Sequence, residues 1–179
     1  MALTQTAVVD TALELLRESG LPGMSMRTLA SRIGVQPSAL YWHVPSKQVL
    51  LTAVAERILA TMRPVAAGGS APGELRSIGD ALRAAVTGVP DGAEIVALGL
   101  AAGAVNPVTE AVEATCGRYG MADRAAGLTT ALTGYVIGLG LEEQTHHNLR
   151  AADPQMAAVE FGPRFDAGLD ALLVGVEAG

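Results

Sequence analysis

The most informative ten residues of this 179-residue chain read Ser38-Ala39-Leu40-Tyr41-Trp42-His43-Val44-Pro45-Ser46-Lys47. They lie mostly in a short helix predicted over residues 37–43, with small, polar and aromatic side chains, and Pro45 ends that helix. Ser46 is a good N-cap for a longer helix predicted over residues 47–62. Lys47 would then lie beside the free amides at a helix start, a combination that favours a phosphate oxygen.

Two helices are predicted before this stretch. Apolar residues recur on one face of residues 4–19, and Gly20 follows them as a stop. A second helix begins after Ser25, a favoured N-cap, and ends at Gly34. Two short helices joined by a tight turn form a helix-turn-helix, whose second helix enters the major groove of duplex DNA. Residues 24–63 therefore predict a helix-turn-helix and a connecting helix, with double-stranded DNA as the partner.

The rest of the chain also has helical rather than strand-like spacing. Residues 65–73 contain three glycines and a proline among small residues, which predicts a connector. Helices are predicted over residues 74–86, 94–118, 123–149 and 163–177, with a break near Asn106 and Pro107 in the second of these. We predict an all-α protein in which residues 1–63 form a three-helix DNA-binding domain with its connecting helix, and residues 64–179 form a second helical domain.

The charge distribution supports this division. The chain has a net charge of −6 and is 50% hydrophobic but only 3% aromatic. Residues 1–63 contain six basic and four acidic residues, a net charge of +2, so the remainder carries −8. The first third is thus the only part that could face phosphates without strong repulsion, and placement must matter more than total charge.

Ten residues are predicted to contact DNA. Tyr41, His43 and Lys47 can donate to phosphate oxygens, whereas Ser38 and Ala39 are small enough to approach base edges or thymine methyl groups. The full set is Arg27, Thr28, Gln36, Pro37, Ser38, Ala39, Tyr41, Trp42, His43 and Lys47.

Three members of that set have specific arguments of their own. Arg27, at the start of the preceding helix, could reach guanine or a phosphate, and Thr28 could bond the DNA backbone. Trp42 is the only tryptophan, and taken alone an aromatic on a short helix favours a core position. Its neighbours favour DNA contact, so both roles stay open for this ring.

The chain resembles the TetR family of bacterial one-component repressors. The resemblance covers A-L-E-L-L-x-E-x-G at residues 12–20, R-x-L-A-x-x-I-G-V at 27–35 and L-Y-W-H-V-x-x-K-x-x-L-L at 40–51. The second half resembles the tetracycline repressor subgroup through P-D-G-A at 90–93, G-L-E-E-Q-T-H at 140–146 and F-D-A-G-L at 165–169. The resemblance implies a homodimer held by the last two long helices, and an effector pocket in each C-terminal ligand-binding and dimerisation domain.

The pocket departs from that subgroup. Val96 and Gly99 stand where the subgroup has a metal-coordinating His and a Thr, and Arg63, Ile78 and Leu82 replace its drug-holding His, Asn and Phe. Of the subgroup's ligand-site residues only Glu142 matches. Without the imidazole a magnesium chelate loses its main protein ligand, so tetracycline is not the expected effector. Pro37 and Ala39 replace polar operator-reading residues, so a different operator is expected.

A small, largely apolar effector is predicted instead, because the residues at the pocket positions are mostly apolar. Glu142 and Arg63 are its expected polar anchors, and His146 could also orient it. The predicted ligand-binding residues are Arg63, Leu82, Val86, Val96, Leu100, Thr133, Ile137, Glu142 and His146.

Neither enzymatic chemistry nor a metal site is predicted. The chain lacks a phosphate-binding glycine loop after a strand, a G-x-S-x-G motif and the Cys or His spacing of zinc sites. Glu142 and His146 share one helical face, but two ligands do not make a metal centre, and a polar patch on a dimer helix is the favoured alternative. We expect no cofactor.

The single cysteine, Cys116, and the absence of a basic and apolar leader predict a cytoplasmic protein. The most apolar windows, residues 95–105 and 128–141, are shorter than the ~20 residues of a membrane-spanning helix, so no membrane partner is expected.

The sequence thus favours a ligand-responsive transcriptional regulator, a repressor released from a palindromic operator by its effector. One alternative stays open, because the basic charge of residues 1–63 is weak. In that alternative the helix-turn-helix is structural, and the chain is an effector-binding or protein-interaction module. Salt discriminates between them, since DNA affinity falls steeply with salt whereas an apolar protein contact barely responds.

Overall fold

A computed structural model describes residues 3–63 and 69–177, and the regular structure within those residues is helical. The predicted all-α class is therefore confirmed. A short 3₁₀ turn, Ala122–Arg124, leads into the longest helix. The helices are α1 Gln5–Gly23, α2 Met26–Ile33, α3 Pro37–Tyr41, α4 Lys47–Leu59, α5 Ala71–Thr87, α6 Gly92–Ala101, α7 Pro107–Arg118, α8 Ala125–Ala152 and α9 Phe161–Glu177.

The predicted caps lie where the sequence places them. The Ser25 hydroxyl accepts from the Thr28 amide at 3.0 Å, and the Ser46 hydroxyl accepts from the Val49 amide at 3.1 Å. Each satisfies an amide that has no intrahelical partner. Gly34 ends α2 with φ 81°, a left-handed conformation that glycine adopts without steric cost.

Three of the first four helices end at residues other than those predicted, and α5, α6 and α9 begin two or three residues earlier than predicted while α8 ends three residues later. In α1, Gly20 is non-helical with φ 64°, but the helix resumes beyond it to Gly23 because the Leu21 amide donates to Asp91 Oδ2 at 2.7 Å. In α3 the helix ends at Tyr41 rather than residue 43, since the next amides turn back onto the Leu40 carbonyl. In α4 the helix ends at Leu59 instead of residue 62.

The predicted connector, residues 65–73, lies partly outside the described residues. Its last three residues are helical, because α5 begins at Ala71, with Pro72 in its first turn, where a missing amide hydrogen costs nothing. The break predicted near Asn106 is confirmed, since the Asn106 side chain caps α7 by accepting from the Val108 amide at 3.1 Å.

The chain divides into two compact units, one comprising the described residues of Met1–Thr61 and Val86–Val105 and the other those of Met62–Ala85 and Asn106–Gly179. We call them the first and second unit. These units are defined by packing, whereas the domain boundary predicted after residue 63 separates two functions. That boundary stays a prediction.

The first unit packs α1, α2, α3 and α4 around a common core and adds α6 against α4. Leu16, Leu29, Leu40 and Leu50 are fully buried within it. Such side chains each contribute about 1.5–3 kcal/mol when removed from water. The core therefore fixes which face of α3 is left on the surface.

The second unit packs α7 and α9 against α8, with residues of α5 in its core. Leu75, Ile78, Leu82 and Leu132 are fully buried. Arg83 is half-buried but paired, because its guanidinium lies 3.1 Å from Glu143 and 4.6 Å above the Phe165 ring. Among the described residues no single helix is both long enough and apolar enough to cross a membrane.

Candidate nucleic-acid interface

The turn between α2 and α3 fixes α3 on the first unit. The Val35 amide donates to the Ala30 carbonyl at 3.0 Å, directly after the left-handed Gly34. Leu40 and Val44, one turn apart, are both fully buried and anchor α3 to the core. The opposite face of α3 is consequently presented to solvent.

The predicted DNA-contacting residues lie on that surface or beside it. Eight of the ten are exposed, and Ala39 and His43 are half-buried. The exposed ones are Arg27, Thr28, Gln36, Pro37, Ser38, Tyr41, Trp42 and Lys47.

The core alternative for Trp42 is wrong. Its side chain is 87% exposed, and the neighbouring Tyr41 is 47% exposed. The reason is geometric, because Leu40 and Val44 occupy the buried side and a residue midway between them points away from it. Tyr41 and Trp42 thus place two adjacent exposed aromatic rings on one face, and contiguous exposed apolar surface is typical of partner-binding sites.

The cations of the first unit divide into paired and unpaired groups. Arg32 forms two hydrogen bonds with Glu18, at 2.9 and 2.5 Å, and this interaction lowers the pKa of the Glu18 carboxyl. Arg57 bonds Asp10 at 3.1 Å. Arg27 and Lys47 have no ion-pair partner among the described residues, so their charges are available to an anionic ligand.

Lys47 and Thr28 occupy the first turns of their helices. Lys47 is the first residue of α4, next to the Ser46 cap, where amide hydrogens and the helix dipole favour an anion. The Thr28 hydroxyl lies 2.8 Å from the Ser25 hydroxyl, so part of its hydrogen-bonding capacity is already used. Positive charge and free donors thus lie at the starts of α2 and α4.

The predicted ligand-binding residues occupy several different environments. Leu82, Val86 and Val96 are fully buried, and Ile137 is 9% exposed. They would contact an effector only after side chains move. Leu100 and Thr133 are half-buried, and Thr133 Oγ1 accepts a 3.4 Å hydrogen bond from Asn106.

Arg63 lines a cavity of about 430 Å³ in the second unit, which we call the arginine cavity. Its other lining residues include Ile78, Ala111, Ala114, Thr115 and Arg118. Arg118 bonds the carboxylate of Glu74, which is only 2% exposed and also accepts from the Thr115 hydroxyl and the Tyr119 hydroxyl, both at 3.2 Å.

Glu142 and His146 line a separate cavity of about 320 Å³. The His146 ring packs tilted against Phe161 with centroids 5.6 Å apart, and its buried Nε2 has no hydrogen-bond partner among the described residues. Glu142 pairs with Arg164 at 2.8 Å. The two cavities share no lining residue, so the structure distributes the predicted polar anchors over two places.

Sequence reasoning missed Arg118, Thr115 and Glu74. The sequence signal that could have found them is Glu74, an acidic residue one position from the apolar face of α5. A carboxylate beside a buried face requires ion-pair or hydrogen-bond partners. Groups of three or more potential metal-ligating side chains do not occur in the part of the chain that the structure describes.

Three kinds of comparison relate the chain to known proteins. A family model described as bacterial regulatory proteins, tetR family, matches residues 8–54. The tetracycline repressor protein class D of Escherichia coli is 41% identical over 96 residues, which cover 52% of this chain and 44% of that relative. An HTH-type transcriptional regulator of Saccharopolyspora erythraea is 32% identical over 164 residues, 88% of this chain and 68% of the relative. The chain thus matches less than half the length of some curated relatives.

Solved structures match over nearly the whole chain. BioQ of Mycobacterium smegmatis is 32% identical, has a TM-score of 0.86 and is matched over 99% of both chains. A structure of BioQ with its natural double-stranded DNA operator is 34% identical, has a TM-score of 0.78 and is matched over 99% of this chain and 100% of that one.

Proposed function

The chain belongs to the TetR family of transcriptional regulators, and we propose that it is a repressor that a small, largely apolar effector releases from a palindromic operator. It acts by binding rather than by catalysis, and we place it in the cytoplasm. The exposed face of α3 carries the proposal, with Trp42 87% exposed and unpaired cations at the starts of the flanking helices.

In this proposal the helix α3 enters the major groove. Ser38 and Ala39, near its N-terminus, approach base edges, while Tyr41, Lys47 and Arg27 contact phosphates or the guanine edge. A structure of BioQ with its own double-stranded DNA operator, matched over nearly the whole chain, supports double-stranded DNA as the partner. The remaining members of the predicted set, Thr28, Gln36, Pro37, Trp42 and His43, complete the surface.

The proposed assembly is a homodimer through α8 and α9. A Cβ added at Gly127, Gly134 or Gly138 of α8 would meet nothing within 4 Å, and Val174 of α9 is 62% exposed. Small residues on an open helix face let a second helix approach closely. A dimer would carry two α3 helices about 34–36 Å apart, which matches half-sites one helical turn apart on DNA.

The effector would bind the second unit. Two cavities in this unit, of about 430 and 320 Å³, fall at the lower end of the 300–1,000 Å³ range of small-molecule sites. Release requires that the effector bind the DNA-free conformation more tightly, because a ligand with equal affinity for both conformations shifts nothing. Val96 stands where the tetracycline repressors carry a metal-coordinating His, and without that imidazole a magnesium–tetracycline chelate is an unsuitable effector.

The proposal is tested by selecting duplexes from a random DNA pool with the purified chain at two salt concentrations. We expect enrichment of one palindrome whose affinity falls as salt rises, since phosphate contacts release counterions. The Trp42→Ala variant at α3 and the Val105→Ala variant serve as interface and remote comparisons in the same selection, because Val105 is 72% exposed and lies outside both the DNA-contacting set and the α8–α9 face. No enrichment at either salt would favour the alternative module in which the helix-turn-helix is structural.

A further inference from the structure

We propose that the arginine cavity binds a small molecule that carries one carboxylate on an aliphatic body. The inference rests on the proposed function in one respect, namely that this molecule would be the effector. Its binding to the cavity can be measured without DNA. Two guanidinium groups, Arg63 and Arg118, line one cavity whose remaining surface is mainly apolar.

Arg118 is held in a defined position at the wall. Its Nη2 donates to Glu74 Oε2 and, at 3.2 Å, to Thr115 Oγ1. Glu74 and Thr115 are themselves 2% and 1% exposed, so the support of the guanidinium is rigid and nearly dry. A cation fixed in this way loses little side-chain entropy when a ligand binds.

That support uses only one of the nitrogens of Arg118. A guanidinium has five N–H donors in a planar fork, and Nε and Nη1 of Arg118 have no hydrogen-bond acceptor among the described residues. The side chain of Arg118 is 43% exposed, so this free edge is accessible. Planar carboxylates match such an edge, because they accept two parallel N–H bonds.

Arg63 supplies a second, uncommitted charge. It is exposed, lines the same cavity and has no ion-pair partner within residues 3–63 and 69–177. Glu110 also lines the cavity and is exposed, so it opposes an anionic ligand in part. The formal charges of Arg63, Arg118, Glu110 and Glu74 balance, so recognition of an anion depends on the uncommitted N–H donors of Arg63 and Arg118 rather than on net charge.

The rest of the wall selects an aliphatic body. Met62, Ile78, Pro107, Ala111 and Ala114 line it, and none of them is aromatic. A volume of about 430 Å³ admits a ligand of modest size. A carboxylate at one end and an aliphatic chain at the other satisfy both parts of the wall.

The test uses octanoate, 1-octanol and acetate as probes, titrated calorimetrically into the purified 179-residue chain at neutral pH. Octanoate should bind about tenfold more tightly than 1-octanol, because only octanoate accepts charge-assisted hydrogen bonds. Acetate should bind at least about tenfold more weakly than octanoate, since it lacks the apolar body. Equal affinities for octanoate and 1-octanol, or for octanoate and acetate, would overturn the proposal.

Variants locate the interaction. Arg63→Gln should abolish most of the preference for octanoate over 1-octanol, whereas Arg17→Gln, an exposed arginine of the first unit, should leave the preference unchanged. Glu110→Gln should have the opposite effect on octanoate affinity and raise it, because it removes a negative charge from the wall of the cavity. Arg63→Gln is used rather than a neutral Arg118 variant, which would leave Glu74 buried without its cation. An Arg63→Gln variant that folds and keeps the full preference contradicts the assignment.

Operator affinity, measured in parallel, separates this inference from the proposed function. If the wild-type chain binds its operator but does not prefer octanoate over 1-octanol, the ligand assignment alone is overturned. Selective octanoate binding by a chain that enriches no DNA contradicts the repressor proposal and leaves the site standing.

Discussion

Gly99 provides a sharp test of packing in the first unit, because α6 meets α4 at this residue. A Cβ built on Gly99 would lie 2.3 Å from the Ala55 Cβ and 3.7 Å from the Thr52 Cα. Ala55 is fully buried, and a methyl group has no rotamer by which to move aside. In Gly99→Ala the two helices must therefore separate.

The size of the effect follows from two opposing terms. Overpacking a tight core costs about 1–3 kcal/mol, whereas replacing a helical glycine with alanine gains about 0.5–1 kcal/mol. We expect a net loss of about 1–2 kcal/mol in the free energy of unfolding. For a chain of this length each kcal/mol lowers the melting temperature by about 2–4 °C, so Tm should fall by about 2–8 °C.

The matched control is Gly117→Ala in α7, where an added Cβ meets nothing within 4 Å and φ is not positive. Urea unfolding followed by circular dichroism should show Gly117→Ala unchanged or slightly stabilised and Gly99→Ala destabilised. Because α4 follows α3 directly, Gly99→Ala should also weaken operator binding more than Gly117→Ala. A Gly99→Ala protein at least as stable as the wild type would refute the close approach of α4 and α6.

Three further predictions concern exposed or partly buried side chains. Trp42→Ala should change the free energy of unfolding by less than about 0.5 kcal/mol, because the ring is 87% exposed. The same variant should weaken operator binding. A large loss of stability would mean that the ring is buried. Lys47→Ala should weaken binding to all DNA sequences and reduce the slope of log affinity against log salt by about one. Arg57→Ala is the control, because the Arg57 charge is paired with Asp10, and it should leave the slope nearly unchanged. Equal slopes for the two variants would exclude the phosphate contact of Lys47. Burial, the Glu74 charge and the hydrogen bond to Glu74 raise the pKa of Tyr119, so its contribution to stability is present below the ordinary tyrosine value of about 10 and is lost as pH rises through the raised value. The stability difference between wild type and Tyr119→Phe should accordingly shrink at alkaline pH in urea titrations, and a difference independent of pH would contradict the bond to Glu74.

Local signals predicted the helices well because each acts within a few residues. Ser25 and Ser46 satisfy amides three positions away, and Gly34 permits the left-handed turn that ends α2. The same holds for Asn106 at the start of α7. Such features are encoded where they act, so composition and spacing are sufficient to locate them.

Contacts between distant parts of the chain were not predictable in this way. The extension of α1 past Gly20 depends on Asp91, seventy residues later, and α6 belongs by packing to the first unit. The exposure of Trp42 follows from which neighbours fill the core. Arg118 became a candidate only when Glu74, far away in sequence, was seen to hold it. Spacing along one helix carries no information about such partners.

The central claim is that the short helix α3 reads the operator. It is tested most directly by repeating the duplex selection with Ser38→Ala and Ala39→Ser beside the wild type. If these side chains face base edges, each variant should enrich a palindrome altered at one or two positions in each half-site, with a cost of about 1–3 kcal/mol for the original base pair there. Enrichment of the wild-type palindrome by both variants, with affinity reduced equally for every sequence, would contradict base reading by α3.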